Sequence, residues 1–196
     1  MAAGLPVLDR RETVARLLQD RGALLVVTGL GSATYDVAAA GDDPQNFYLW
    51  GAMGGTAAMA LGLALAQPDR PVLALTGDGD MLMGMGSLAT IGAKRPQNLS
   101  VVVLDNESYG ETGAQPTAIA QGVDLGGVAR ACGLMTDDDI RDMHGVAGLA
   151  EQLQRCDGPR FANIKIDATE HARVLPARDG AWLRSRFREA VLGIAP

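Results

Sequence analysis

The chain is predicted to fold as an α/β domain in which helices flank an open, mainly parallel sheet. Short apolar runs alternate with longer amphipathic or small-residue segments, and this alternation is typical of βαβ units. Glycine and proline fall mostly between the segments, where connections are expected. Hydrophobic residues make up 47% of the 196 residues, which is ample for one core. We therefore treat residues 1–196 as a single domain.

Each element is predicted from its own stretch of sequence. Residues 1–20 comprise an N-terminal extension and a helix with an apolar face, and residues 171–196 comprise a C-terminal helical extension. Residues 55–66 are small and apolar nearly all round, which indicates a buried helix. The other predicted helices span residues 81–94, 123–134, 145–156 and 180–193. The predicted strands span residues 22–28, 46–50, 71–76, 99–105 and 161–167.

Charge and cysteine content argue against several classes of function. The net charge of -6 gives no electrostatic reason to expect binding to nucleic acid or to an anionic membrane. Cys132 and Cys156 lie in unrelated contexts, so a disulfide framework or a zinc site has little support. The amino terminus lacks the apolar core of a signal peptide, and no run approaches the length of a transmembrane helix. We expect a soluble, cytoplasmic protein.

Glycine-bearing loops follow four of the predicted strands. They read TGLGSAT, GAMGG, TGDGD and LDNESYGETG, in chain order. Ligands of open parallel sheets bind at the carboxyl ends of the strands, where the strand order reverses. Glycines there let backbone N–H groups approach a phosphate, and a following helix offers its positive end. We expect the four loops to meet at one edge of the sheet and to form a ligand site.

The segment LTGDGD places Asp78 between two glycines, directly after an apolar run. Taken alone, an Asp-Gly pair also suits a turn. The next predicted strand, however, ends at Asp105 and is followed by Asn106, so it brings further polar side chains to the same edge. Mg2+ takes oxygen ligands from one or two carboxylates, from amide or backbone carbonyls, and from ligand phosphates. The combination predicts a site for a magnesium diphosphate.

These motifs resemble those of the thiamine diphosphate enzymes, in which GDG is followed at a similar spacing by an Asn-containing pair. The stretches WGAMGGTAAMALGLALAQPDRPVLALTGDGD, MGSLATIGAKRPQNL and LDNESYGETGAQPT are similar to the cofactor-binding, or PP, half of the sulfopyruvate and phosphonopyruvate decarboxylases. The resemblance covers most of residues 25–166. The Asp-Asn pair followed by YGETG looks more like the sulfopyruvate enzymes, although many relatives have Asn-Asn in its place.

The resemblance implies roles for individual residues. Mg2+ would be bound by the side chains of Asp78 and Asn106 and by the backbone carbonyl of Ser108. Met53 would lie between the two rings of the cofactor, and the carbonyl of Gly51 would accept the pyrimidine amino group. The implied cofactor-binding residues are Ser32, Gly51, Met53, Gly77, Asp78, Gly79, Asp80, Asn106, Tyr109 and Gly110.

The resemblance also implies a second chain. Full-length members carry a pyrimidine-binding domain with a glutamate that contacts the cofactor, and 196 residues leave no room for it. Two-subunit sulfopyruvate decarboxylases divide these halves between α and β chains, and this sequence looks like the β chain. The catalytic glutamate is therefore expected on a partner α subunit, within a hetero-oligomer. From this chain, Glu111 is the candidate catalytic residue, and it and the neighbouring Thr112 are the candidates for lining the substrate space.

The implied reaction is the decarboxylation of a small 2-oxo acid, namely 3-sulfopyruvate. Its product, sulfoacetaldehyde, is an intermediate on the way to coenzyme M or in sulfonate metabolism. Phosphonopyruvate decarboxylation, or another lyase or synthase reaction of this cofactor, is an alternative. A non-catalytic cofactor-binding regulatory subunit is an alternative of another class. A dinucleotide-binding domain ranks far lower, because GLGSAT has Thr34 where GxGxxG has its third glycine.

Some conspicuous residues have simpler interpretations. His144 and His171 are expected at the surface, outside the binding edge. The segment GGTAAMALGLALA could form contacts between copies of the chain or could be core within the domain. A solvated helix face is the default for a set of C-terminal arginines, although a sulfonate or a subunit contact could use one of them. These arginines are Arg173, Arg178, Arg184, Arg186 and Arg188.

Overall fold

A computed structural model of the protein describes residues 7–193. The far ends of the two predicted terminal extensions, residues 1–6 and 194–196, lie outside the described residues. The strands are β1 (Leu25–Thr28), β2 (Asn46–Tyr48), β3 (Val72–Gly77), β4 (Leu99–Asp105), β5 (Ser108–Tyr109), β6 (Gln115–Pro116), β7 (Met135–Thr136) and β8 (Arg160–Lys165). The helices are α1 (Arg10–Leu18), α2 (Ser32–Ala39), α3 (Thr56–Ala66), α4 (Asp78–Met83), α5 (Gly86–Lys94), α6 (Leu125–Ala131), α7 (Met143–Gln152) and α8 (Gly180–Leu192), and a 3-10 turn spans Ile119–Gln121.

Six strands form one parallel sheet in the order β2-β1-β3-β4-β8-β7. The predicted open α/β architecture is therefore confirmed. The chain leaves β1 towards the β2 edge and then returns to the other side of β1 to form β3. Strand order thus reverses between β1 and β3, and the loops that follow these two strands diverge at the carboxyl edge. A crevice at such a reversal is where open α/β sheets bind ligands.

Helices cover both faces of the sheet. Alternate strand residues face opposite layers: Val26 and Leu73 pack with α1, α2 and α7, whereas Leu25 and Val72 pack with α3, α5 and α6. Because both faces are buried, the strands read as continuous hydrophobic runs rather than as alternating ones. Among residues 7–193, no helix combines the length and the apolar character that a membrane span requires.

The helices on the binding edge lack the aspartate caps that the other helices have, apart from α5, which begins at Met85 and is also uncapped. Four helices begin at an aspartate whose side chain accepts backbone N–H groups of the first turn, namely α1, α6, α7 and α8. By contrast α2, α3 and α4, which follow β1, β2 and β3, begin at Gly31, Gly55 and Gly77, and no side chain caps them. First-turn N–H groups without a side-chain cap are suited to an anionic ligand.

The structure corrects the sequence-based prediction at several elements. The single helix predicted for residues 81–94 is two helices, because Gly84 ends α4 where its Cα lies against the backbone of Gly54. A side chain at Gly84 would collide with that backbone. The helix α2, the short strand β7 and the hairpin of β5 and β6 were not predicted. They are short elements, for which periodicity gives little signal.

Candidate functional site

A cavity of about 120 Å³ opens at the carboxyl edge of the sheet, among the loops that follow β1, β3 and β4. It lies at the reversal of strand order, where a ligand site was expected. Nearly all of the predicted site residues line it. They are Ser32, Met53, Gly77, Asp78, Gly79, Asp80, Asn106, Ser108, Tyr109, Gly110, Glu111 and Thr112.

Asp78 is the first residue of α4 and is only 2% exposed. Its Oδ2 accepts a hydrogen bond of 2.7 Å from the hydroxyl of Thr117. Burial raises the pKa of Asp78 to about 6, and the negative charge of Asp105 adds to this effect, whereas the Thr117 hydrogen bond opposes it. A cation next to this buried carboxylate would favour its charged form.

Asn106 and Ser108 lie in the tight turn that follows β4. The Oδ1 atom of Asn106 accepts a hydrogen bond of 3.0 Å from the backbone N–H of Ser108. The backbone of Thr117 donates to the carbonyl of Glu107 at 2.9 Å, while the Thr117 side chain holds Asp78. One threonine thus ties the loop after β4 to the start of α4, and it brings the three predicted magnesium ligands to one cavity.

The donor set fits a magnesium ion with its diphosphate. A carboxylate, an amide oxygen and a backbone carbonyl are hard oxygen ligands, which is the chemistry that Mg2+ requires. Within residues 7–193, no three His, Cys, Asp or Glu side chains are grouped closely enough to hold a metal ion. A cation in this cavity would therefore depend on amide and carbonyl oxygens and on its ligand's phosphates, as the sequence motif predicts.

The carboxylate of Asp80 serves the protein itself. It accepts hydrogen bonds from the hydroxyl of Thr56 at 2.7 Å, from the hydroxyl of Thr76 and from the backbone N–H of Gly54. These bonds tie the loop after β2 to the loop after β3. Because the carboxylate already accepts from three donors within the chain, a contact with the cofactor would be made by the backbone of Asp80. That contact stays a prediction.

One wall of the cavity requires a glycine. A Cβ atom at Gly79 would lie 2.5 Å from Cε1 of Tyr109 and 3.5 Å from Cε of Met53. The ring of Tyr109 and the methyl group of Met53 therefore pack close to the Gly79 backbone. The GDG motif meets this packing requirement in addition to any role in phosphate binding.

Glu111 lies at the border between this cavity and a smaller one of about 70 Å³. Its Oε2 atom is 3.4 Å from Nη2 of Arg173, and its Cγ lies next to Gly31 at the start of α2. Ser32 also lines both cavities, whereas His171 lines the smaller one. Glu111 is thus the ionisable side chain that connects the two spaces.

The histidines differ from their predicted positions in one case. His171 is less exposed than predicted, because 24% of its side chain is exposed and its Nε2 lies 2.7 Å from Oδ2 of Asp9. It was missed because the segment after β8 has no periodic pattern. His144 is exposed in the first turn of α7 and lines neither cavity, as predicted.

Gly51 lies outside the lining of the cavity and is exposed. The preceding Trp50 donates a hydrogen bond of 2.9 Å from Nε1 to the carbonyl of Ala177. This bond fixes the loop after β2 to the segment that precedes α8. The predicted contact of Gly51 with a pyrimidine ring therefore stays a prediction. The lining residues that were not singled out one by one are Leu30, Gly31, Ala33, Leu104 and Ile166. The first four lie in the predicted loops TGLGSAT and LDNESYGETG, whereas the apolar Ile166 carries no chemical signal in the sequence.

Comparison with known proteins agrees with this geometry. Residues 29–164 match the family described as thiamine pyrophosphate enzyme, C-terminal TPP binding domain; thiamine pyrophosphate and thiamine diphosphate are the same compound. The chain is 38% identical over 160 residues to a sulfopyruvate decarboxylase subunit beta from Methanothermobacter thermautotrophicus, covering 82% of this chain and 83% of that one. It is 37% identical over 171 residues to a phosphonopyruvate decarboxylase from Streptomyces viridochromogenes, covering 85% of this chain and 42% of that one.

A solved structure shares the fold. The thiamine diphosphate-dependent 4-hydroxybenzoylformate decarboxylase of Rhodococcus jostii RHA1 superposes with a TM-score of 0.70 at 18% identity. The match covers 87% of this chain and 34% of the decarboxylase, so this chain corresponds to about a third of that enzyme. The chain belongs to the thiamine pyrophosphate enzyme family, and the matched part is the C-terminal TPP-binding domain of that family.

Proposed function

We propose that the chain is the β subunit of a thiamine diphosphate- and Mg2+-dependent decarboxylase that converts 3-sulfopyruvate and a proton into sulfoacetaldehyde and carbon dioxide. One observation carries this proposal. The similarity to a sulfopyruvate decarboxylase subunit beta extends over 82% of this chain and 83% of the relative, so the two match nearly end to end. A match to a larger enzyme, by contrast, leaves more than half of the relative uncovered.

The cavity supports the choice of cofactor. Asp78, Asn106 and Ser108 offer the oxygen donors for Mg2+, and the uncapped start of α2 at Gly31 offers N–H groups to a diphosphate. The chemistry that thiamine diphosphate supplies when bound is a carbanion nucleophile and an acceptor for the electron pair released with carbon dioxide. The role of this chain is to fix the diphosphate end and to keep that end away from water.

The residues around the diphosphate end would share this work. Asp78 and Asn106 would hold Mg2+, while Tyr109 and Met53 close the wall at Gly79. A low-dielectric wall of this kind strengthens the attraction between the metal site and its anionic ligand. We propose that Glu111 reaches the substrate space, because it borders both cavities.

We infer that a separate α subunit completes the active site. That subunit would supply the catalytic glutamate of the pyrimidine-binding half. The exposed position of Gly51 leaves its carbonyl accessible to a cofactor held between two chains. We also propose a cytoplasmic location for the complex. Both cysteines are free thiols in the structure, as is usual in a reducing compartment.

Phosphonopyruvate is the second candidate substrate. The 37% identity to a phosphonopyruvate decarboxylase over 171 residues favours it almost as strongly. The two substrates are both pyruvates that carry a tetrahedral acid group on the methyl carbon, so they would make similar demands on the site. A direct competition between them has to decide which one the complex prefers.

The experiment that tests the proposal has two stages. Thiamine diphosphate with Mg2+ is first titrated by calorimetry into the chain alone and into the chain mixed with the product of a neighbouring gene. A panel of 2-oxo acids is then given to the mixture, and carbon dioxide release is measured. We expect tighter binding with the partner and carbon dioxide release only from the mixture with 3-sulfopyruvate. Cofactor binding without turnover of any 2-oxo acid would instead indicate a regulatory subunit.

A further inference from the structure

A buried ion-pair network lies at the carboxyl ends of β4 and β8. Asp105, which ends β4, is 1% exposed, and its Oδ2 lies 2.6 Å from Nζ of Lys165 and 2.8 Å from Nδ2 of Asn163. Lys165, which ends β8, is paired with Asp105 in the sheet register. Its Nζ also reaches Oε1 of Glu107 at 2.8 Å. One ammonium group therefore bridges the two carboxylates on either side of Asn106.

The network keeps Lys165 charged although it is buried. Burial lowers the pKa of Lys165, but hydrogen bonds to Asp105 and Glu107 and the charges of both carboxylates outweigh this effect and raise the pKa above its ordinary value. Without Lys165, the carboxylate of Asp105 would be left buried with neutral donors alone. A buried charge that loses its partner is costly.

The network also holds an unfavourable backbone conformation. Glu107 has a φ of 59°, in the left-handed region that is unfavourable for a residue with a side chain. Two contacts oppose this cost: Oδ1 of Asp105 accepts the N–H of Glu107 at 3.1 Å, and Lys165 binds the Glu107 carboxylate. Glu107 stands between Asn106 and Ser108, so its conformation sets where both candidate ligands lie.

We propose that Lys165 and Asp105 are positioning residues for Mg2+, which act by holding Glu107 so that Asn106 and Ser108 face the cavity together. This inference rests on the proposed function, because it assumes that a magnesium diphosphate binds there. Neither Lys165 nor Asp105 lines the cavity, so both act through the turn rather than by contact with the ion. Partners of this outer kind orient the ligands of many metal sites.

The test uses the full chain with its partner subunit and compares Lys165→Met with the wild type. Mg2+ and, separately, Ca2+ are titrated by calorimetry in the presence of thiamine diphosphate. We expect Lys165→Met to lose about 10-fold or more in Mg2+ affinity, as is common for outer partners of metal ligands. The loss for Ca2+ should be smaller, because Ca2+ tolerates irregular ligand geometry whereas Mg2+ requires a near-ideal octahedron. The ratio of the two affinities should therefore fall.

The matched control is Arg160→Met. Arg160 is also a buried cation of β8, and it pairs with Asp137 and Asp157 at the opposite end of the strand. This variant should lower the melting temperature but leave the ratio of Mg2+ to Ca2+ affinity unchanged. An equal fall of the ratio in both variants would show that Lys165 only stabilises the fold, and would overturn the inference.

A charge-neutral variant separates charge from position. In Lys165→Met combined with Asp105→Asn, no buried carboxylate is left without its cation, and the new amide oxygen can still accept the N–H of Glu107. We expect the double variant to regain part of the Mg2+ affinity lost by Lys165→Met, because the two residues are coupled. If Lys165→Met binds Mg2+ as tightly as the wild type, this inference is overturned but the proposed function is not. A wild-type complex that binds no thiamine diphosphate with Mg2+ would overturn the proposed function as well.

Discussion

The cavity has two sides that are built differently. The metal side is the set Asp78, Asn106 and Ser108, which is proposed to bind Mg2+. The wedge side is the loop of residues 50–54, whose Met53 is proposed to lie between the two rings of the cofactor. On the metal side all three residues line the cavity, and Thr117 joins the two loops that carry them. On the wedge side the loop is exposed or half-exposed, and only its methionine lines the cavity.

The difference indicates which part of the site this chain supplies by itself. The metal side is completed by bonds within the chain, so its geometry is set before any ligand or partner arrives. The wedge side leaves polar backbone exposed, and a surface of that kind is suited to a cofactor shared with another chain. Preorganised donors on one side and an open loop on the other would suit the active site proposed above, which this chain would share with an α subunit.

The largest expected effect comes from breaking the metal side. Asp78→Ala removes the one carboxylate of the proposed ligand set. Mg2+-dependent binding of thiamine diphosphate should weaken by more than about 100-fold, because even outer partners of metal ligands typically contribute 10- to 100-fold. Calorimetric titration measures this. Asp69→Ala is the control, since Asp69 is exposed ahead of β3, at the opposite edge of the sheet. Unchanged binding in Asp78→Ala would refute the assignment of the site.

The next effect concerns the link between the two sides. Asp80→Ala removes the carboxylate that accepts from Gly54, Thr56 and Thr76. The free energy of unfolding should fall by about 3 kcal/mol, because buried donors to a charged group lose their partner. Urea denaturation measures the change. Thr56→Val should show part of this loss and Thr56→Ser little, since serine keeps the hydroxyl. A loss in Thr56→Ser equal to that in Thr56→Val would mean that packing, not the hydrogen bond, stabilises the link.

A smaller effect is expected where the wedge side touches α4. Gly84→Ala places a Cβ atom against the backbone of Gly54, so the loop of residues 50–54 has to move. The free energy of unfolding should fall by about 1–3 kcal/mol, as for other overpacked sites. Gly86→Ala is the matched control two residues later, because a Cβ there meets no atom within 4 Å. Equal denaturation midpoints for the two variants would contradict the proposed close contact.

How far the sequence predicts the molecule also differs between the two sides. The meeting of Asp78 and Asn106 at one cavity was predicted because both are chemically specific residues that directly follow long apolar runs. Thr117, which joins them, was not predicted, because a threonine hydroxyl in a loop has many possible partners and only the folded hairpin selects one. On the wedge side, contacts such as Gly84 with Gly54 depend on how two loops meet in space. Neither periodicity nor residue type records a contact of that kind.

The smallest expected effect concerns the strand that leads into the wedge side. Arg186 of α8 donates to Asp42 at 2.6 Å, and Asp42 also accepts from Tyr48 of β2 at 2.8 Å. Burial works to raise the pKa of Asp42, but the hydrogen bonds from Arg186 and Tyr48 outweigh it and hold the pKa below its ordinary value. A carboxyl whose pKa is lower in the folded state adds stability above the unfolded pKa and loses it as pH falls through the folded value.

The docking of α8 should therefore weaken only below about pH 4, near the ordinary pKa of an aspartate. The contribution should be under about 1 kcal/mol, because the pair is partly exposed and screened by solvent. The fluorescence of Trp182, whose ring lies 4.7 Å from the Arg186 guanidinium, should report the change in an acid titration of the unliganded chain. Asp42→Asn should remove the part of the transition that this pair causes. If the acid titration of Asp42→Asn coincides with that of the wild type, the apolar packing of Phe187 on Phe47 holds α8 in place. The ion pair of Arg186 with Asp42 then contributes nothing to the docking of α8 against the strand that leads into the wedge side.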